Sequence, residues 1–131
     1  MISKKLKKVL IVEDDPFISD IYMVELENQG YEVDLAPDGD KAMEKLNQNS
    51  FDLMLLDILM PQKDGFAVLK ELKDNPNFKM AVIVLSNLGK KEHIEKAIEL
   101  GANDYIIKTQ FTPQEVISKI EEIFLKKNKK N

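Results

Sequence analysis

The chain has 131 residues, 44% of them hydrophobic and 32% charged, with no cysteine, so it has the length of one domain with a sizeable core and cannot use disulfides, thiol nucleophiles or cysteine-based zinc sites. No apolar run approaches the roughly 18 residues a membrane span needs, and the stretch Val9–Val12 behind the basic start is too short for a secretory signal. Net charge is −4, but all 19 basic residues are lysines: four lie in residues 1–8 and four in 126–130, which leaves 11 against 23 acids between them, a balance of −12. Such a body lacks the basic face that nucleic-acid binding requires. The lysine-rich ends read as solvated, frayed termini, and the expected location is the cytoplasm.

Leu6–Val12 reads as a strand and Pro16–Gln29 as a helix, with Ile18, Ile21, Tyr22 and Leu26 at helical spacing and Gly30 just past its end. Glu32–Ala36 is a second strand. Asp38 suits the cap of a helix running to about Asn47, with Ala42, Met43 and Leu46 inward. Leu53–Asp57 is a third strand, followed by a helix from Phe66 to Asp74 that Pro76 closes off. Ala81–Leu85 is an unbroken apolar strand, Lys90–Leu100 a helix stopped by Gly101, and Tyr105–Ile107 the fifth strand. Thr112-Pro113-Gln114-Glu115 combines a capping box with proline at the first helical position. The helix it opens, with Val116, Ile117, Ile120, Ile123 and Phe124 inward, fades into a lysine-rich tail over residues 126–131, leaving one domain over residues 1–125.

Strands alternating with helices imply a parallel sheet covered on both faces, and ligands of such sheets collect beyond the carboxyl ends of the strands. The first strand ends in Glu13-Asp14-Asp15, the third in Asp57, the fourth in Ser86 and the fifth in Lys108. Carboxylates converging from two strands repel one another and need a cation. Oxygen donors without histidine or cysteine favour a hard metal, with Mg²⁺ the natural choice. Lys108 adds a mobile positive charge, so the edge suits a phosphoryl group bridged to carboxylates through a metal. Each residue also has an ordinary reading: an acid at a strand end commonly caps the next helix, a lone serine is commonly a loop hydroxyl, and a lone lysine is commonly solvated. Their coincidence at one edge is what weakens those readings.

The chain resembles the response-regulator receiver family over nearly its whole length. Val9-Leu10-Ile11-Val12-Glu13-Asp14-Asp15 is similar to the family's first strand with its acidic pair, and Asp57-Ile58-Leu59-Met60-Pro61-Gln62-Lys63-Asp64-Gly65 to its phosphorylation loop. Leu85-Ser86 matches the hydroxyl of the fourth strand, and Gly101-Ala102-Asn103-Asp104-Tyr105-Ile106-Ile107-Lys108 the signature of the fifth. The resemblance implies a flavodoxin-like, doubly wound, three-layer fold with strand order 2-1-3-4-5. It implies that Asp57 takes a phosphoryl group from a phosphohistidine of a sensor histidine kinase or histidine phosphotransfer protein. Mg²⁺ would be held by Asp14, by Glu13 through water, by Asp57 and by the backbone carbonyl of Leu59. Lys108 would contact the phosphoryl oxygens, and Asp15 would cap a helix. Ser86 would be the switch hydroxyl and Tyr105 its partner, read out through the surface of helix four, strand five and helix five. His93 is expected to be a surface residue and not a relay histidine.

The chain departs from the family's pattern in three places. Thr109 follows Lys108 where the family usually has a cis proline; a non-proline cis bond costs about 2.5–4 kcal/mol, which favours a trans loop. Asn87 follows Ser86 where a small residue is common. Leu59 and Leu88 place apolar groups where they would hinder water, which predicts a slowly decaying phosphoform. An FMN-binding redox protein would need a phosphate-cradling loop where this chain has three carboxylates, and an aspartyl phosphohydrolase would need further substrate-recognition elements. A phosphate-independent binding module is the remaining alternative. The expected role is a regulator rather than an enzyme, either stand-alone or part of a longer protein, with an unknown downstream protein partner and a monomeric or weakly dimeric state.

Overall fold

The apolar runs form the centre of a sheet. In the computed structural model, which describes residues 7–129 with side chains to residue 126, every residue of β3 (Leu53–Leu56) and β4 (Ala81–Ser86) is buried, as is β1 (Lys8–Val12) after its first residue. β2 (Glu32–Ala36) and β5 (Asp104–Ile107) are only partly buried, because they are the edges. The order is β2-β1-β3-β4-β5 and every pairing is parallel, the expected topology.

Strand alternation divides the core in two. Val9 and Ile11 join Leu53, Leu55 and Ile83 beneath α1 (Pro16–Asn28) and α5 (Pro113–Lys129). Leu10 and Val12 join Met54, Leu56 and Val84 beneath α2 (Gly39–Gln48), α3 (Gly65–Lys73) and α4 (Lys91–Glu99). These are the three layers.

The helix starts follow the caps. Asp15 accepts the Phe17 N–H at 2.9 Å, Asp38 the Lys41 N–H at 2.8 Å and Asp64 the Ala67 N–H at 2.9 Å. The Thr112–Glu115 box is reciprocal, with bonds of 2.8 and 3.1 Å. Two placements differ from expectation. α1 buries Ser19, Tyr22 and Leu26, which turns Ile21 outward with Phe17 and Val24. His93 is not a plain surface residue: its ring lies 6.4 Å from that of Phe66 and its Nδ1 is buried without a hydrogen-bond partner. It shares a helical face with the buried Ala97, one turn on, and that face packs toward α3. Residues 1–6 and the end of the lysine tail, including the expected start of the first strand at Leu6, lie outside the described residues.

Candidate functional site at the carboxyl edge of the sheet

The register sets the site. Val12 pairs with Leu56 and Leu56 with Val84, so the residues that follow, Glu13 and Asp57, leave the sheet side by side. The ladder runs one step past the strands, with the Asp57 N–H donating to the Val12 carbonyl and the Glu13 N–H to the Ala36 carbonyl, each at 3.0 Å. After Asp57 the chain folds back over itself: a Cβ on Gly65 would come within 2.5 Å of the Asp57 carbonyl oxygen, so no larger residue fits there without movement.

Glu13 and Asp57 are buried, and Lys108 lies between them. Its Nζ donates to Glu13 Oε1 at 2.5 Å and to Asp57 Oδ2 at 3.0 Å. The other oxygen of each acid is also engaged, Glu13 Oε2 with the Asp15 N–H at 3.1 Å and Asp57 Oδ1 with the Leu59 N–H at 3.2 Å. Burial pushes the Glu13 carboxyl up, reinforced by the Asp57 charge and opposed by the bonds from Lys108 and Asp15. Burial pushes the Lys108 ammonium down, but its bonds to the two acids outweigh that and leave it raised. The Lys108 ammonium is therefore held in its charged form by the two acids it bridges.

Asp14 is exposed at the mouth, and carboxylate oxygens of Glu13, Asp14 and Asp57 lie within 4.8 Å of one another. An all-oxygen set of this kind fits a hard divalent cation. One ammonium does not balance three carboxylates, so the site retains negative charge for such a cation to neutralise.

Ser86 is fully buried at the end of β4, where its Oγ accepts the Leu88 N–H at 3.3 Å. Tyr105 is half-buried, and its hydroxyl donates to the Leu88 carbonyl. Burial raises the Tyr105 phenol, opposed by its contact with the Ser86 hydroxyl. The Lys108–Thr109 bond is trans, and Lys108–Gln110 forms a single 3₁₀ turn. One contact had no counterpart in the sequence reading: the Thr109 N–H donates to Asn87 Oδ1 at 3.2 Å.

The fold and the edge together define a doubly wound α/β protein with an acidic, lysine-bridged site at its strand ends. Residues 9–121 match the model of the response regulator receiver domain. The chain is 36% identical over 119 residues to the alkaline phosphatase synthesis transcriptional regulatory protein PhoP of Bacillus subtilis, covering 89% of this chain and 48% of that protein. It is 36% identical over 123 residues to the probable transcriptional regulator ycf27 of Guillardia theta, covering 94% of this chain and 47% of the other. Among solved structures, the CheY-like response regulator receiver domain protein of Methanospirillum hungatei superposes with a TM-score of 0.86 at 31% identity, covering 95% of this chain and 98% of that one.

This chain belongs to the response-regulator receiver family. Receiver domains of this family are signalling domains of two-component response regulators. The chain spans about half the length of the curated relatives it matches. No described helix is long and apolar enough to cross a membrane.

Proposed function

We propose that Asp57 is the phosphoacceptor and that this chain is a switch thrown by an Mg²⁺-dependent aspartyl phosphate. The observation that carries the reading is the buried meeting of Lys108 with Glu13 and Asp57 at the ends of β5, β1 and β3. An Asp57 carboxylate oxygen attacks the phosphorus of a phosphohistidine. The new O–P bond forms as the P–N bond breaks, and the electron pair leaves with the imidazole nitrogen, which takes a proton from solvent. Lys108 moves with the charge, from carboxylates to phosphoryl oxygens, and catalysis is positioning and neutralisation. Mg²⁺, held by Asp14, Asp57, the Leu59 carbonyl and, through water, Glu13, would supply the remaining positive charge. Ser86 then turns toward the anion, and its link with Tyr105 and the Leu88 segment carries the change to the face of α4, β5 and α5.

The donor is a histidine kinase or a histidine phosphotransfer protein. Phe17, Ile21 and Val24 form an exposed apolar stripe on α1, beginning next to the acidic mouth, and supply a surface for it; Phe17 alone is 74% exposed.

The test is intact mass after incubation with acetyl phosphate and Mg²⁺, beside Asp57→Asn and a chelator control. A single phosphoryl adduct that disappears in both controls supports the reading. No adduct, with Mg²⁺ binding still measurable, would overturn it and leave a phosphate-independent binding module.

A further inference from the structure

Two of the chain's departures from the receiver pattern meet in space, and neither is explained by the acidic site itself. Asn87 and Thr109 stand 22 residues apart, on the loops after β4 and β5. The β4–α4 loop is clasped to β5 and the turn after it at three points, all from alternate residues of one run. The Tyr105 hydroxyl donates to the Leu88 carbonyl, Ile107 lies so close to Gly89 that a Cβ there would meet Ile107 Cδ1 at 3.0 Å, and the Thr109 N–H donates to Asn87 Oδ1. Strand alternation sends the side chains of Tyr105 and Ile107 toward the β4–α4 loop, and Thr109, in the 3₁₀ turn that follows, meets it through its backbone N–H. Lys108, between the last two, is left to reach the acids.

The third point acts where it matters for the site. The Thr109 N–H belongs to the peptide immediately after Lys108. It is also the second N–H of the short 3₁₀ turn Lys108–Gln110, whose first N–H groups have no partner within the turn and whose own preceding residue, Ile107, supplies no side-chain cap. A proline at 109 would have no N–H to donate and would restrain the chain through its ring. This chain has a threonine there, and a carboxamide from the neighbouring loop takes the N–H. Fixing that peptide plane fixes rotation about the Lys108 Cα–C bond, and with it the direction from which the side chain leaves the backbone.

We propose that Asn87 is a positioning residue for Lys108: by accepting the Thr109 N–H it sets the ammonium's approach to the Asp57 carboxylate during phosphoryl transfer. The proposal rests on the function argued above, and it makes residues 87 and 109 an interdependent pair.

Three variants test it, with the rate of adduct formation from acetyl phosphate and Mg²⁺ and the amide NMR signal of Thr109 as readouts. Asn87→Ala should slow phosphorylation about fivefold, the effect of one net hydrogen bond, and shift the Thr109 amide while increasing its exchange with solvent. Asn87→Asp, which keeps an acceptor oxygen, should restore the protected amide and most of the rate. In a Thr109→Pro background, Asn87→Ala should have no further effect. A wild-type rate and an unmoved Thr109 amide in Asn87→Ala would overturn the proposal, as would equal slowing with or without proline at 109. Should Thr109→Pro fail to fold, the Ala and Asp variants decide. If the wild type took no phosphoryl group, the phosphoacceptor reading would fall, while the amide signal would still decide whether Asn87 holds the Lys108 peptide.

Discussion

Lys45 and Lys108 both grip a carboxylate, and distance does not tell them apart. Lys45 Nζ lies 2.8 Å from Asp34 Oδ1, tying α2 to the sheet edge at β2, with side chains 30% and 44% exposed. Lys108 Nζ lies 2.5 and 3.0 Å from Glu13 and Asp57, with all three side chains at most 13% exposed. The surface pair is open to water, so breaking it largely exchanges one solvation for another and costs about 0.5 kcal/mol. The buried group has no such exchange, because losing the ammonium leaves two carboxylates facing each other out of water. One contact fastens a helix to an edge. The other stores an unbalanced charge that a cation and a phosphoryl group can resolve.

The largest test of that contrast is Lys108→Met against Lys45→Met. Without divalent cations, Lys108→Met should lose about 3 kcal/mol of stability in urea unfolding, since it strands a buried acidic pair. Mg²⁺ should then stabilise it more than it stabilises the wild type, because binding relieves more repulsion. Equal, small losses from the two lysines would remove the distinction.

The next test asks what else sets the buried end apart. Leu59, 55% exposed, and Leu88 line a mostly apolar depression with Ile58, Met60, Asp64 and Phe66, on the loop that follows Asp57. If they keep attacking water unassisted, Leu59→Asn and Leu88→Glu should each speed loss of the phosphoryl group roughly tenfold, below the full range for a positioned base. Phosphate release timed after removal of the donor measures it, and unchanged lifetimes in both variants would end the idea.

How much of this was legible beforehand follows from the range of each signal. The five strands and the helix caps are local signals, and Asp15, Asp38 and the Thr112–Glu115 box announce their helices in sequence. The acidic edge follows once the sheet is known to be parallel, because strand ends then share a side. Helix α1 is the opposite case. Apolar residues lie nearly all round it, so periodicity could not choose between the stripe of Tyr22 and Leu26 and that of Phe17, Ile21 and Val24. His93 was misread by its type, although its spacing from Ala97 carried the face it occupies. The Asn87–Thr109 bond joins two exposed polar residues on separate loops, and no pattern of hydrophobicity or turn chemistry reports it.

The smallest effect tests the other half of the comparison. Burial pushes the Asp34 carboxyl up, but the Lys45 ammonium and the Leu35 N–H outweigh it and leave it lowered. A carboxyl lowered on folding adds stability above its unfolded value and loses it as pH falls through its folded value. Asp34→Asn should therefore destabilise the protein slightly, about 0.5 kcal/mol, near pH 7, with the difference from wild type closing as pH falls below the ordinary carboxylate range. Salt should close it as well, because both side chains are open to solvent. A difference that persisted in acid and salt would mean that the carboxamide disturbs the bond from the Leu35 N–H to the Asp34 side chain and not the pairing of charges. The edge contact would then have been a matter of backbone geometry, and the contrast with Lys108 would rest on burial alone.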